Sequence, residues 1–314
     1  MPRGMKDSLR YRLHSSVAHI YHRIRGGMQI VVLLASILYL GYNLRALSFE
    51  EVAIWRWPYF AFAWSLTFIA TWMGAVGWWL VLQTICIPSV PSFRSTSAIH
   101  LKANLAKYLP GYGWQLAGKA YLAHRHGIES RQVGAAMLLE LVTVLGVGAV
   151  FAATISLFIS LPLPPLLVIF IQIIGGTAGI VLLALPFVWS YGAKRFHTPV
   201  VLDRYFYVLT VGAMGTGWIS LGVGLWALVA VLRPIDWMSL PYFLFTIAGG
   251  ILVGLAALFV PAGLGVRESV IAFLLTPVLG PGEAVLVATL SRVVLVTGEL
   301  TAVACLLPWQ KRES

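Results

Sequence analysis

Five ionisable residues lie within or beside the long apolar segments of the sequence. Glu140, Arg292 and Glu299 are inside such segments, and Arg267 and Glu268 follow a break in another. A charged group at the centre of a membrane helix costs about 2.5–3.5 kcal/mol, so each should face protein or water. We expect these residues to contact a substrate or, as the alternative, to form structural ion pairs. Arg292 and Glu299 are seven residues apart on one helical face, so each needs a partner on another helix. Glu140 is a candidate partner for Arg292 or for a basic headgroup.

A break rich in proline and glycine precedes the first of these charged pairs. Pro261 interrupts the apolar run over residues 240–279, and Gly263 and Gly265 permit a positive φ. Non-helical backbone at membrane depth is tolerated only where protein or a polar cavity covers it. The break is therefore a candidate binding site.

The helix that should begin near Gly265 has the chemistry of an anion site. Its first N–H groups lack intrahelical partners and lie at the positive end of the helix dipole. A phosphate is a natural ligand for such an end, and Arg267 adds a bidentate donor. Glu268, in the first turn, could instead satisfy those donors itself.

A second break has the same pattern. Pro110 and Gly111 are followed by Gly113 and a helical segment, with Lys107 and Lys119 on either side. Matched breaks in the two halves of a transporter point to its binding site, and the alternative is two unrelated turns that end helices. Two such helix ends in a basic cytoplasmic vestibule suggest an anionic lipid headgroup or a polyprenyl phosphate as the ligand.

Other kinds of chemistry lack the residues that they need. His124, Arg125 and His126 with Glu129 could suggest a metal, but we interpret them as charged residues near headgroups. The two cysteines have no metal-binding spacing, and no Walker loop, GxSxG or HExxH motif is present. We therefore expect no enzyme, no cofactor and no metal site. The basic residues are clustered between apolar segments, so nucleic acid is not an expected partner.

Composition determines the broad class of the protein. Of its 314 residues, 59% are hydrophobic and 11% charged, and the mean hydropathy is +0.86, whereas soluble domains have roughly 25% charged residues. We predict an all-α polytopic membrane protein of about eight transmembrane helices with two segments broken by Pro and Gly, re-entrant or discontinuous. The short seventh span reaches only about 20 Å, so it crosses only if its break lies at membrane depth. The predicted spans are residues 28–44, 57–87, 133–160, 163–191, 208–232, 240–260, 266–279 and 283–307.

The basic residues predict the orientation. Of 22 Lys and Arg residues, 18 fall in segments assigned to the inside, three outside and one, Arg292, within a span. This bias places both termini in the cytoplasm. Residues 1–26 are predicted to form a basic amphipathic segment on the anionic leaflet, with a disordered tail as the alternative.

The rest of the chain is predicted to form one domain. Residues 27–308 would be a single transmembrane domain, and residues 309–314 a cytoplasmic tail. Within the domain, residues 92–132 are too polar to span yet too apolar for a solvated loop. We predict a helical hairpin hinged at Pro110 and Gly111, either re-entrant or lying flat on the cytoplasmic side of the membrane.

Both breaks resemble signatures of a known family. Residues 104–111 (NLAKYLPG) with 126–128 (HGI), and residues 260–268 (VPAGLGVRE) followed by Arg292, are similar to those of the lysylphosphatidylglycerol synthase transmembrane-region family, also described as flippase-like. The resemblance covers about residues 28–308. It implies a polytopic inner-membrane domain that moves aminoacylated phosphatidylglycerol, or another lipid, between leaflets.

The sequence departs from that family in two places. Bifunctional members have a soluble aminoacyl-transferase domain after the membrane part, whereas this sequence stops at Ser314, so we expect no synthesis of aminoacyl lipid by that route. Trp114, Gln115 and Lys119 stand where the family often has a Gly-Glu and an arginine. Stand-alone members are associated with glycolipid, polyprenyl-linked sugar or hopanoid pathways, which leaves the substrate open.

Three functions fit the sequence. The first is a flippase of the bacterial inner membrane that moves an anionic or aminoacylated phospholipid, a polyprenyl-linked lipid or a glycolipid; its site would comprise Arg267, Glu268, Arg292, Glu140, Lys107 and Lys119. The second is a non-transporting accessory subunit that docks a cytoplasmic glycosyltransferase or another lipid-modifying enzyme. The third is an ion-coupled carrier of small solutes. A homo-oligomer is compatible with each.

Overall fold

The described part of the protein consists mainly of helices. A computed structural model describes residues 38, 41–42, 45, 56–85, 90–108, 113–195, 202–257 and 264–306, and no strand occurs within these ranges. The prediction of an all-α fold is confirmed there. The nine α-helices of these ranges are α1 (Trp57–Thr84), α2 (Phe93–Leu105), α3 (Trp114–Arg125), α4 (Ser130–Ser156), α5 (Pro165–Arg195), α6 (Arg204–Leu232), α7 (Leu240–Ala256), α8 (Val266–Leu279) and α9 (Pro281–Ala304).

Six helices are long and apolar enough to cross a membrane: α1, α4, α5, α6, α9, and α7 together with the 3₁₀ turn Trp237–Ser239 that precedes it. They coincide with six of the eight predicted spans. The predicted span over residues 28–44 and the basic segment over residues 1–26 lie outside the described residues, as does the tail over 309–314. Helix α8 has the predicted bounds, but its 14 residues are too few to cross a bilayer alone.

The long helices differ in how much of their surface other helices cover. Helix α6 lies at the centre, with 56% of its most apolar window buried, whereas α5 has 11% of its window buried. The α5 side chains Leu166, Phe170, Leu183 and Tyr191 are mostly exposed. In a membrane such a helix faces lipid, because hydrocarbon solvates apolar side chains without a protein partner.

Close packing of the helices depends on glycine at particular positions. A Cβ on Gly148 of α4 would lie 2.4 Å from the Trp218 ring of α6, and the Trp218 indole N–H donates to the Val144 carbonyl at 3.1 Å. A Cβ on Gly250 of α7 would lie 2.6 Å from Ile271 of α8. Small residues at such contacts let the helix backbones approach closely, which fixes the position of α8 against α7.

The predicted hairpin of residues 92–132 contains two helices. Ser92 begins α2 by accepting a hydrogen bond from the Ser95 N–H at 3.3 Å. A 3₁₀ turn over Ala106–Tyr108 ends the first arm, and α3 forms the second. Helix α2 packs against α1 and α9, and α3 packs against α2 and α4. The hairpin thus lies against three of the long helices.

Both predicted breaks are followed by a helix that begins at a glycine. Gly113 precedes α3 with φ +94°, and Gly265 precedes α8 with φ +80°. Only glycine adopts such angles without strain. The other predicted break residues, Pro110, Gly111, Pro261 and Gly263, lie outside the described residues.

Candidate functional site

Ionisable side chains of three elements meet in one group, here called the central cluster. The 3₁₀ turn after α2 contributes two members, the first turn of α8 contributes two, and α9 contributes two from one face. Helix α9 packs on both α8 and α2, which brings the three elements together. The members are Lys107, Tyr108, Arg267, Glu268, Arg292 and Glu299.

The first pair of the cluster joins α9 to the start of α8. Arg292 donates to the Glu268 carboxylate at 3.2 Å, and the other Glu268 oxygen accepts from the Gly265 N–H at 2.8 Å. Glu268 therefore satisfies part of the helix end itself, which was one of the two alternatives. The Gly265 N–H is occupied and is not open to an anion in this conformation.

The second pair joins α9 to the hairpin. The Lys107 ammonium lies 2.5 Å from Glu299, and the Tyr108 hydroxyl donates to the other Glu299 oxygen at 2.8 Å. Glu299 is 4% exposed, so its charge depends on these two donors. Burial lowers the pKa of Lys107, and the Glu299 carboxylate acts in the opposite direction. Burial and the adjacent carboxylate raise the pKa of the Tyr108 hydroxyl, which therefore stays protonated.

Arg267 differs from the other members because no carboxylate among the described residues is bonded to it; Glu268 and Glu299 attract it only without direct contact. Its side chain is 7% exposed, and its Nε is buried without a hydrogen-bond partner. Among the described residues, no hydrogen bond or ion pair involves this guanidinium. A Cβ on Gly254 would lie 3.1 Å from the Arg267 Cβ, so α7 and α8 enclose the base of the side chain. A buried cation of this kind calls for an anion.

A second group of ionisable residues, here called the hairpin cluster, joins the hairpin to α4. Lys119 of α3 contacts both Glu140 oxygens, at 2.7 and 2.6 Å, and the ring of Trp78 at 4.2 Å. His100 of α2 lies 3.2 Å from Glu140 and 3.0 Å from Lys119, both through Nδ1. The three ionisable members of this cluster are His100, Lys119 and Glu140.

The hydrogen bonds of His100 depend on its protonation. Nδ1 can accept from the Lys119 ammonium or donate to Glu140, but one nitrogen does not do both. Burial, and then the positive charge of Lys119, lower the pKa of His100, while Glu140 opposes them. The lowered pKa favours neutral His100, and the tautomer with an unprotonated Nδ1 accepts from Lys119. Burial also lowers the pKa of Lys119, against the effect of Glu140.

Asn104 joins the two arms of the hairpin next to the central cluster. Its side-chain oxygen accepts from Lys107 at 3.3 Å and from Gln115 of α3 at 3.1 Å. This bridge crosses the gap between the two arms of the hairpin. A movement of the hairpin away from the bundle would therefore change both clusters at once.

The structure brings together four of the six predicted substrate-binding residues. Arg267, Glu268, Arg292 and Lys107 are in the central cluster, whereas Lys119 and Glu140 are bonded to each other elsewhere. The prediction that Arg292 and Glu299 each pair with another helix is confirmed.

One predicted pairing is wrong. Glu140 was a candidate partner for Arg292, but its contacts are with Lys119 and His100, and Arg292 reaches Glu268. The physical reason is the hairpin, which packs against α4 and presents a closer cation.

Sequence reasoning missed three members of the clusters. His100 and Tyr108 were not chosen, and Glu299 was recognised as an intramembrane charge but was not assigned to the site. A weak signal existed for His100, which lies seven residues before Lys107, and for Tyr108, which adjoins that lysine. Within the described residues, no group of three or more His, Cys, Asp or Glu side chains could hold a metal ion.

Comparison with known proteins adds no assignment. No model of a known protein family matches the sequence, and no curated protein matches it either.

Proposed function

We propose that this protein moves a lipid with an anionic headgroup between the leaflets of a bacterial inner membrane. Six long apolar helices supply the membrane domain, and the central cluster supplies a polar site among them. The observation that favours an anionic substrate most directly is Arg267, a buried cation with no partner among the described residues. Intramembrane ionisable residues commonly mark substrate pathways.

The proposal includes the finer architecture expected from the sequence. The domain would cross the membrane about eight times with both termini in the cytoplasm, and it would belong to the lysylphosphatidylglycerol synthase transmembrane-region family. The resemblance at residues 104–111 and 260–268 supports this membership. The two helices that begin at Gly113 and Gly265 support the matched breaks.

The bonds of the hairpin suggest how the site would open. In the present conformation Lys107 is bonded to Glu299 of α9 and Lys119 to Glu140 of α4. An anionic headgroup that reaches Arg267 would compete with Glu299 for Lys107, because both are anions near one ammonium. Release of Lys107 would loosen the hairpin from α9. We propose that this step admits the headgroup to the membrane interior while the acyl chains stay in lipid.

A leaflet-accessibility assay in proteoliposomes tests this function. A panel of fluorescent lipids (phosphatidylglycerol, lysyl-phosphatidylglycerol, polyprenyl phosphate and a neutral glycolipid) would be offered, and a membrane-impermeant quencher would report the outer-leaflet fraction. We expect protein-dependent movement of at least one anionic lipid, with the rate reduced by Arg267→Gln. The matched control is Arg125→Gln, an exposed arginine on the hairpin.

The accessory-subunit alternative has one observation in its favour. The hairpin helix α3 exposes Trp114, Leu116 and Tyr121, which are 53%, 48% and 62% exposed. These side chains fit either lipid or a cytoplasmic enzyme. Folded protein that moves no lipid of the panel would refute the translocase and favour the accessory subunit. Uptake of a small solute that depends on an ion gradient, without movement of any lipid, would favour the small-solute carrier.

A further inference from the structure

We infer that the central cluster binds an oxyanion with a single negative charge, the phosphodiester of a lipid headgroup, and discriminates against doubly charged phosphomonoesters. This inference rests on the proposed function and deepens it, because it names the charge class of the substrate. The inference is based on the number of positive and negative side chains in the cluster, which the structure identifies.

Two ion pairs of the cluster are already neutral. Lys107 faces Glu299 at 2.5 Å, and Arg292 faces Glu268 at 3.2 Å. Each carboxylate is further bonded, Glu299 by the Tyr108 hydroxyl and Glu268 by a backbone N–H. Both acids are about 95% buried. Neither has spare charge with which to neutralise another cation.

Among the described residues, Arg267 is the cation of the cluster that has no bonded carboxylate. It is 93% buried, and its Nε has no hydrogen-bond partner. The sequence segments 109–112, which follows Tyr108, and 258–263, which precedes Leu264, lie outside the described residues and contain no Asp or Glu. The acids of the other described helices are engaged elsewhere, as Glu140 is with Lys119 and Glu283 with Arg233. The six members of the cluster therefore carry a net charge of +1.

A single negative charge restores neutrality to this buried site. An unpaired ion in a low-dielectric interior is costly, and so is an excess of the opposite sign. A monoanion at Arg267 leaves the cluster neutral, whereas a dianion leaves it with one surplus negative charge. The planar guanidinium can donate two parallel hydrogen bonds to two oxygens of a phosphodiester, so the contact depends on geometry as well as on charge.

Equilibrium binding of matched lipids tests the charge rule. The full-length protein in neutral detergent would be titrated with phosphatidylglycerol, phosphatidic acid and diacylglycerol of identical acyl chains. The pH would be about 8.5, where a phosphomonoester with a second pKa near 6 is doubly charged. We expect phosphatidylglycerol to bind at least about tenfold more tightly than either competitor. Arg267→Gln should weaken its binding by about thirtyfold or more, and Arg125→Gln should not.

Two substitutions in the cluster distinguish the effect of its net charge from the effect of its shape. Glu299→Gln keeps one acceptor oxygen, which can serve Lys107 or Tyr108 but not both, and removes one negative charge, so the net charge of the six members rises to +2. We expect this variant to prefer phosphatidic acid over phosphatidylglycerol. Arg267→Lys keeps the net charge and should keep the preference for phosphatidylglycerol at lower affinity. This variant also shows whether any loss in Arg267→Gln reflects misfolding.

The outcomes distinguish this inference from the proposed function. Equal binding of the two anionic lipids, or an unchanged preference in Glu299→Gln, overturns the charge rule and leaves lipid translocation standing. Binding in the expected order without any lipid movement in proteoliposomes supports the charge rule and overturns the translocase. Equally tight binding of soluble glycerophosphoglycerol and phosphatidylglycerol overturns the lipid as the source of the anion.

Discussion

Removal of Lys119 and Glu140 together should destabilise the protein by less than the sum of the two single removals. The Lys119 side chain is 4% exposed and the Glu140 side chain 14%, and the ammonium lies within 2.7 Å of both carboxylate oxygens. Lys119→Met leaves the Glu140 charge buried, with neutral His100 as its remaining neighbour. Breaking a buried pair in this way costs about 3–5 kcal/mol. The lost contact with the Trp78 ring adds roughly 0.5–2 kcal/mol.

The double variant removes both charges and so avoids the stranded carboxylate. We expect Lys119→Met with Glu140→Gln to cost about 2–3 kcal/mol less than the sum of the two single variants. The free energy of unfolding in detergent, from denaturant titrations of the four proteins, measures this coupling. The matched control is Lys102→Met, an exposed lysine on α2, which should change the stability by less than about 0.5 kcal/mol. Additive single effects would refute the buried pair.

Two further predictions concern the hairpin cluster and the packing of α5. Because the pKa of His100 is lowered in the folded protein, the unfolded chain binds a proton more readily. The folded state should therefore lose stability as the pH falls below about 6.5, and His100→Gln should reduce this loss in thermal unfolding between about pH 7.5 and 5.5. A Cβ on Gly175 would lie 2.5 Å from a backbone oxygen of α4, whereas Gly176 has open space. Gly175→Ala should cost about 1–3 kcal/mol, and Gly176→Ala should be neutral or stabilising.

Each of these predictions has an outcome that contradicts it. His126 is exposed, so His126→Gln serves as the control for His100, and equal pH profiles of the two variants would show that His100 does not control the acid sensitivity. Equal stabilities of the two alanine variants on α5 would contradict the close contact of α4 with α5. Each test compares two residues of the same type, His100 with His126 and Gly175 with Gly176. Effects of the substitution that do not depend on its position therefore cancel.

Much of the architecture was predictable because it depends on local composition. Six predicted spans coincide with long apolar helices, since runs of about 20 apolar residues have few other stable arrangements. The start of α8 at Val266 also followed from Gly265, where a positive φ is needed. Helices α4 and α6 begin three and four residues before the predicted spans, because polar first-turn residues such as Arg131 and Arg204 extend the helices beyond their apolar parts.

The ion pairs were predictable only in part. The seven-residue spacing of Arg292 and Glu299 predicted a common face and partners on other helices, and both partners exist. The identity of each partner was not predictable, because it depends on which helices pack together. Glu140 shows this most clearly, since its contact with Lys119 arises from the position of the hairpin against α4.

The sequence by itself determined that this is a helical membrane protein with a few buried charges and two glycine-marked helix starts. These properties follow from composition and from the conformational freedom of single residues, which need no information about distant parts of the chain. Only the tertiary structure decided which charges neutralise each other. It pairs Lys107 with Glu299 and Arg292 with Glu268, and it leaves Arg267 buried without a partner among the described residues. The reason is that an ion pair depends on distances between helices, and packing sets those distances.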